Sequence, residues 1–372
     1  MTEQEIIYTM ALTQLRGLGL LTTRQLYDEV GNATTIFEHR HHLQDLFSDA
    51  TDRLTGVFRD VGEALERAEK EYAFANSKNI QCICLGDKKY PQLLRECADA
   101  PLVLYYLGNA DLNAQHIISI VGTRRCTAIG KEMCESFIGE LKKIYPDVII
   151  VSGLAYGIDI QAHRTAMNHG MNTIGVLAHG LDTIYPRLHR STAVQMICQG
   201  GLLTEYMTKT AIDKGNFVRR NRIVAGISSA TVVVESAEKG GSLITANLAA
   251  DYNHEVCAFP GRINDRYSQG CNRLIARQKA HLIQSVDDFL NAVGWPNPLK
   301  TKKQVQQQEL FSDLSADEQR IVDTLKGVDS KNINQIVIET NMPTHYASAV
   351  LFELEMRGIV NVLGGARYRI KK

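Results

Sequence analysis

Arg219, Arg220 and Arg222, with Lys209 and Lys214 just before them, face one carboxylate, Asp213, across residues 209–222. Cations at this density can grip phosphate oxygens, and the aromatic Phe217 and the amides of Asn216 and Asn221 stand among them. Glycine turns occur on both sides: VGTRR (121–125), SGLAYGID (152–159), HGLDTIYP (179–186) and EKGGSLIT (238–245). A turn without Cβ atoms lets a bulky anion reach backbone N–H groups, and a helix opening there adds its positive end. Gly122-Thr123-Arg124 and Gly240-Gly241-Ser242 are the two such anion seats, with Ser242 expected to cap the second helix. These residue types call for a phosphate-rich ligand.

Each turn needs a buried strand behind it and a helix in front. From about Ile80 the chain supplies them as short apolar runs: Ile80–Leu85, Leu102–Leu107, Ile117–Val121, Val148–Val151, Thr173–Leu177, Gly201–Thr204, Thr231–Glu235 and Val256–Phe259. Near-continuous apolar character suits strands covered on both faces. Amphipathic stretches at 131–144, 158–169, 187–199, 217–227 and 242–251 read as crossover helices, which gives a doubly wound parallel α/β sheet over 76–295. In such a sheet ligands gather at the strand carboxyl ends. Asn216 is placed to cap the helix that carries the arginines. There Ile223, Val224 and Ile227 face inward with Arg220, which must meet a buried carboxylate (Asp159 or Glu235) or an entering phosphate. Arg219 and Arg222 are expected to reach solvent on either side.

Residues 1–75 carry helical periodicity. The turn Leu15–Leu20, with Gly17 and Gly19, reads either as a helix-hairpin-helix anion seat or as part of a small helical packing domain, its nearby cations being Arg16 and Arg24. After a polar linker at 296–314, residues 315–372 offer three helices and a strand pair, the winged-helix layout. The third helix, 343–358, holds Arg357 as its only strong cation beside Glu353 and Glu355, which favours a protein contact or a weak DNA contact over groove reading. Arg367, Arg369, Lys371 and Lys372 on the wing leave a phosphate role open.

With 372 residues, 44% of them hydrophobic, and a formal net charge of zero, any polyanion site must be a local patch. The opening residues carry neither a signal peptide nor a membrane span, so a cytoplasmic location is expected. The eight cysteines form no zinc set and read as reduced thiols. No nucleophile elbow or H-E-x-x-H motif appears, so no catalytic residue, metal or cofactor is expected. His163 reads as a satisfied helix histidine. Lacking G-x-G-x-x-G, the first turn does not favour a dinucleotide, which argues against a NAD-dependent oxidoreductase. A phosphoribohydrolase-like enzyme on a nucleotide derivative is the alternative, but Leu243 to Ala250 lacks the acid it would need.

In this order the motifs YPQLL (90–94), VGTRR, SGLAYGIDIQAH (152–163), GLDTIYP, TEY (204–206), FVRRNRIVAG (217–226), GGSLITA (240–246), FPGRI (259–263) and GCNRLI (270–275) resemble the DNA-processing protein A family, DprA/Smf. The resemblance covers roughly Tyr90 to Asp288. It implies an extended Rossmann-like domain between a helix-hairpin-helix or SAM-like domain and a winged helix. It also implies a bacterial cytosolic protein, not an enzyme, that binds single-stranded DNA and passes it to the RecA recombinase in natural transformation. A homodimer formed near 270–285 is implied too, although Gln278-Lys279 depart from the family's glycine–alanine pair there. The implied DNA contacts are Gly122, Thr123, Arg124, Lys214, Phe217, Arg220, Asn221 and Arg222. Arg219, Gly240, Gly241 and Ser242 join them from the reading of the residues.

Overall fold

The computed structural model describes residues 1–48, 51–299, 314–328, 330–363 and 366–371. Two compact units emerge, Met1–Asn297 and Pro298–Lys372. Most of the expected linker, the turn Gly364-Gly365 and Lys372 lie outside the described residues.

The first unit is built on a mixed sheet. Its strands are β1 Gln81–Cys84, β2 Val103–Gly108, β3 Ile117–Val121, β4 Ile149–Ser152, β5 Thr173–Val176, β6 Gly200–Thr204, β7 Ala230–Val233, β8 Glu255–Ala258 and β9 His281–Leu282. β3 to β7 are buried along their whole length because helices cover both faces. The strand order is β1-β2-β6-β5-β4-β3-β7-β8-β9. From β6 to β9 every pairing is parallel, whereas β2 runs antiparallel to both β1 and β6. The expected doubly wound parallel sheet runs from β6 to β9, and β1 and β2 extend it as an antiparallel edge, since an apolar run does not encode strand direction. The two-residue β9 is too short to leave a sequence pattern.

Chain order reverses between β3 and β7. Connections from β3 step outward through β4, β5 and β6, and those from β7 step the opposite way through β8. The crevice at this switch point is where such sheets hold ligands. Helices α7 Ala128–Ile144, α8 Ile158–Asn168, α9 Arg190–Cys198, α10 Lys214–Gly226 and α11 Gly241–Asp251 make the crossovers.

At the amino end, α1 Glu3–Leu12, α2 Leu20–Val30, α3 Ala33–Glu38, α4 Asp52–Val57 and α5 Gly62–Ser77 share one core with the sheet: Met10, Phe37 and Phe58 belong to the same cluster as Ile83, Leu104 and Ile223. Glu5 is buried and receives the N–H groups of Ala33 (2.7 Å) and Thr34 (2.8 Å) at the start of α3. The glycine turn before α2 has its two cations engaged. Arg16 pairs with Glu63 at 3.0 Å, and Arg24 bonds Asp28 at 2.7 Å and the carbonyls of Arg95 and Cys97. That favours the packing role over an anion seat.

The second unit holds helices Ala316–Leu325, Ile333–Thr340 and Thr344–Met356, with a sheet in which Arg367–Ile370 lies between Lys331–Asn332 and Val360–Leu363. Ser315 and Glu318 form a capping box on the first helix. Glu318 also takes Arg357 at 2.6 Å, so the third helix's strong cation is turned onto its own unit.

Candidate nucleic-acid interface

A cavity of about 330 Å³ opens at the switch point. Gly122, Thr123 and Arg124 from the turn after β3, Gly153 and Ala155 from the turn after β4, and Gly240, Gly241 and Ser242 after β7 line it. Phe217, Arg220 and Asn221 of α10 complete the wall, and Asp159 is its one carboxylate among the described residues.

Asp213 caps α10 by accepting the Gly215 N–H at 2.7 Å. The helix therefore starts before Asn216, which is not the cap expected of it. Asn216 instead lies in the first turn and donates to the Ala211 carbonyl at 3.2 Å. The segment leading into α10 is held from α5. Buried Glu71 receives the Thr208 N–H (2.9 and 3.0 Å) and hydroxyl (2.5 Å), while Arg67 donates to the Thr208 carbonyl at 2.6 Å. Sequence reasoning missed this clamp, because 137 residues separate its partners.

Arg220 lies on the inward face of α10, as expected, and is 3% exposed. Its guanidinium donates to the carbonyls of Gly153 (2.6 Å) and Val176, at the ends of β4 and β5. Asp159 opposes it through space. Burial lowers the Arg220 pKa to about 10, which leaves it charged at neutral pH. Burial also raises the Asp159 carboxyl, against the pull of Arg220 and the amides of Ala155 and Gly153. Those amides reach Asp159 at 3.4 and 3.2 Å and pin the turn after β4.

Glu235 does not partner Arg220. It accepts the Thr127 N–H at 2.9 Å and the Thr127 hydroxyl at 2.6 Å, filling the amino end of α7. The first expected anion seat is thus already occupied by the chain's own carboxylate, and what that turn offers a ligand is Arg124. Gly157, at φ +80°, allows the close approach that fixes this turn: a Cβ there would lie 2.1 Å from the Thr123 carbonyl oxygen.

The second seat stays open, with a different cap. Gly240 is the N-cap of α11, so Ser242 falls inside the first turn, where its hydroxyl donates to Ser236 at 2.8 Å. Its glycines leave the helix amides facing the cavity.

At the mouth the Arg124 guanidinium lies over the Phe217 ring, 5.7 Å from its centroid. Tyr185 meets the same ring edge to face at 5.6 Å. Lys214 and Arg219 are exposed on α10 outside the cavity lining. Arg222 departs from expectation. It does not reach solvent but is 5% exposed, paired with Glu205 and donating to the Asp99 carbonyl at 2.7 Å. The projection of α10 assumed one covered side, whereas α11 and α6 (Gln92–Glu96) pack on it as well as the sheet.

His163 is wholly buried beneath the site, with Nδ1 2.7 Å from the Thr173 hydroxyl, and burial pushes its pKa down to about 3. That value lies below the unfolded one of 6.5, so the unfolded chain takes up the proton first. Its contribution is intact above pH 6.5 and lost as the pH falls toward 3. Urea midpoints should drop between pH 6.5 and 5.5 by the equivalent of about 1 kcal/mol for this group, and His163→Gln should flatten the slope.

Among the described residues no group of His, Cys, Asp and Glu could hold a metal ion, and no helix is long and apolar enough to cross a membrane.

Residues 81–294 match the family model for DNA recombination-mediator protein A, and residues 307–366 the DprA winged helix domain. The chain is 39% identical over 231 residues to the DNA processing protein DprA of Bacillus subtilis, covering 62% of this chain and 77% of that one. It is 31% identical over 339 residues to Protein Smf of Escherichia coli, covering 85% and 87%. The solved DprA of Streptococcus pneumoniae superposes with a TM-score of 0.58 at 30% identity, over 74% of this chain and 98% of that one. The DNA processing protein A of Helicobacter pylori, solved for its single-stranded DNA binding mode, gives 0.51 at 30% identity, over 57% and 96%. A cation-lined crevice at the switch point and matches across both units lead to one conclusion: the chain belongs to the DprA/Smf family of DNA-processing proteins.

Proposed function

We propose that this protein binds single-stranded DNA along the carboxyl rim of its sheet and delivers it to the RecA recombinase during transformation, in the cytoplasm and without catalysis. The observation that carries the reading is the arrangement at the cavity mouth, where an arginine lies over an exposed-edge aromatic beside an open helix amino end. A single strand wants this combination of a ring for a base and cations for the backbone. Arg124 and the Gly241 and Ser242 amides take a phosphate, Gly241 opens onto free space that allows its approach, and Gly122, Thr123 and Gly240 line the path. Phe217 stacks a base, Lys214 and Arg219 follow the backbone, and Arg220 and Asn221 form the floor. Asp159, the lining carboxylate, is held by backbone amides, which supports binding over chemistry. A homodimer through 270–285 would double the track.

Fluorescence anisotropy across a salt series tests this. Oligothymidylate should bind more tightly than duplex, with a log–log slope of about −0.7 for each phosphate neutralised. Lys214→Ala should reduce the slope by about one such step. Equal affinity for duplex and single strand, or release of product from the oligonucleotide, would contradict the reading.

A further inference from the structure

Tyr185 is the feature of the rim that this site leaves unused. It follows β5, is 44% exposed, and touches Phe217 ring to ring. A lone exposed aromatic signifies little, but this one is held by its backbone and not by its side chain. Its N–H donates to Nε2 of buried His179 at 3.2 Å. Nδ1 of His179 faces the Gly180 carbonyl at 2.9 Å, so Nδ1 carries the proton and Nε2 is left to accept. The Thr204 hydroxyl ties the same loop by donating to the His179 carbonyl at 2.9 Å. The Tyr185 hydroxyl has no hydrogen-bond partner among the described residues, and exposed Arg187 stands two residues on. A rigid loop thus presents a ring with unused polar capacity, next to the aromatic of the site and followed by a cation.

Sheet order gives the path. The turns after β7, β3 and β5 lie along one rim, since the order runs β5-β4-β3-β7. The α11 amino end, Arg124 with Phe217, and Tyr185 follow one another in that direction.

We propose that Tyr185 is a second base-stacking platform, over which a strand leaving Phe217 continues toward Arg187. The proposal rests on single-strand binding at the rim and extends the track beyond the cavity. Tyr185→Ala should weaken oligothymidylate binding at least about five-fold, and Tyr185→Phe should not. Tyr185→Leu keeps an apolar contact for Phe217 and should still lose affinity, which separates stacking from support of the neighbouring ring. Arg187→Ala should lower the salt slope by about 0.7. An oligonucleotide carrying 5-iodouracil should photo-cross-link to the peptide containing Tyr185. If the wild-type protein binds the strand and Phe217→Ala weakens it, while Tyr185→Ala binds as the wild type and no cross-link forms there, this extension alone is overturned. Failure of the wild-type protein to bind at any salt overturns the proposed function and the extension together.

Discussion

Arg220→Met is expected to destabilise the first unit by about 3–5 kcal/mol, within the sum for two hydrogen bonds from a charged donor at about 1.5–3 kcal/mol each. The guanidinium bridges the carbonyls at the ends of β4 and β5 and is the main opposite charge acting on Asp159. Methionine restores the volume but leaves those carbonyls without their donor and the carboxylate without a cation. Asp159→Asn in the same chain should return part of the loss, because the two residues act on each other and their effects do not add. Arg220→Lys should rescue in part, since one nitrogen, Nη1, bonds both carbonyls and an ammonium keeps the charge and those donors, while the Nε bond to Asn221 is lost. Urea denaturation at pH 7 reads all three. A loss below about 1 kcal/mol for Arg220→Met would mean that the buried arginine is not what joins these strand ends.

How far the sequence carried can be judged from the same residues. The span Ile117–Val121 was legible to the residue because a strand covered on both faces reads as a near-continuous apolar run, broken here only by Ser119, whose hydroxyl donates to the Val224 carbonyl. Crossover helices were legible from their period, and the glycine turns from the need for close approach. The inward direction of Arg220 followed from its spacing to Ile223 and Val224. Its partners did not, because a carbonyl carries no signature in the sequence and either of two carboxylates suited the charge. Glu235 and Asp159 both sit near strand ends. Only the fold decides that one fills the start of α7 and the other faces the arginine. Tyr206 and Tyr252 near Arg222 gave no hint that α10 is enclosed beyond its sheet-facing side.

That enclosure separates two roles for the R-N-R run. Arg222→Met should cost about 3–5 kcal/mol, because Glu205 would remain buried without its cation. Burial already raises the Glu205 carboxyl, with Arg222 the largest influence holding it down. The pair is also imperfectly satisfied: Oε1 of Glu205 and Nε of Arg222 are buried with no hydrogen-bond partner. Replacing both residues, Arg222→Met with Glu205→Leu, should therefore recover most of the stability, less what the Asp99 carbonyl loses with its donor. Binding supplies the contrast. If Arg222 contacted DNA, as the family resemblance implies, the double variant would lose a phosphate contact and its salt slope would fall by about 0.7. Buried against Glu205, it should leave the slope of the refolded double variant at the wild-type value, whereas exposed Arg219→Ala lowers it. A slope that fell in the double variant would place Arg222 on the strand and require the Glu205 pair to open when DNA binds.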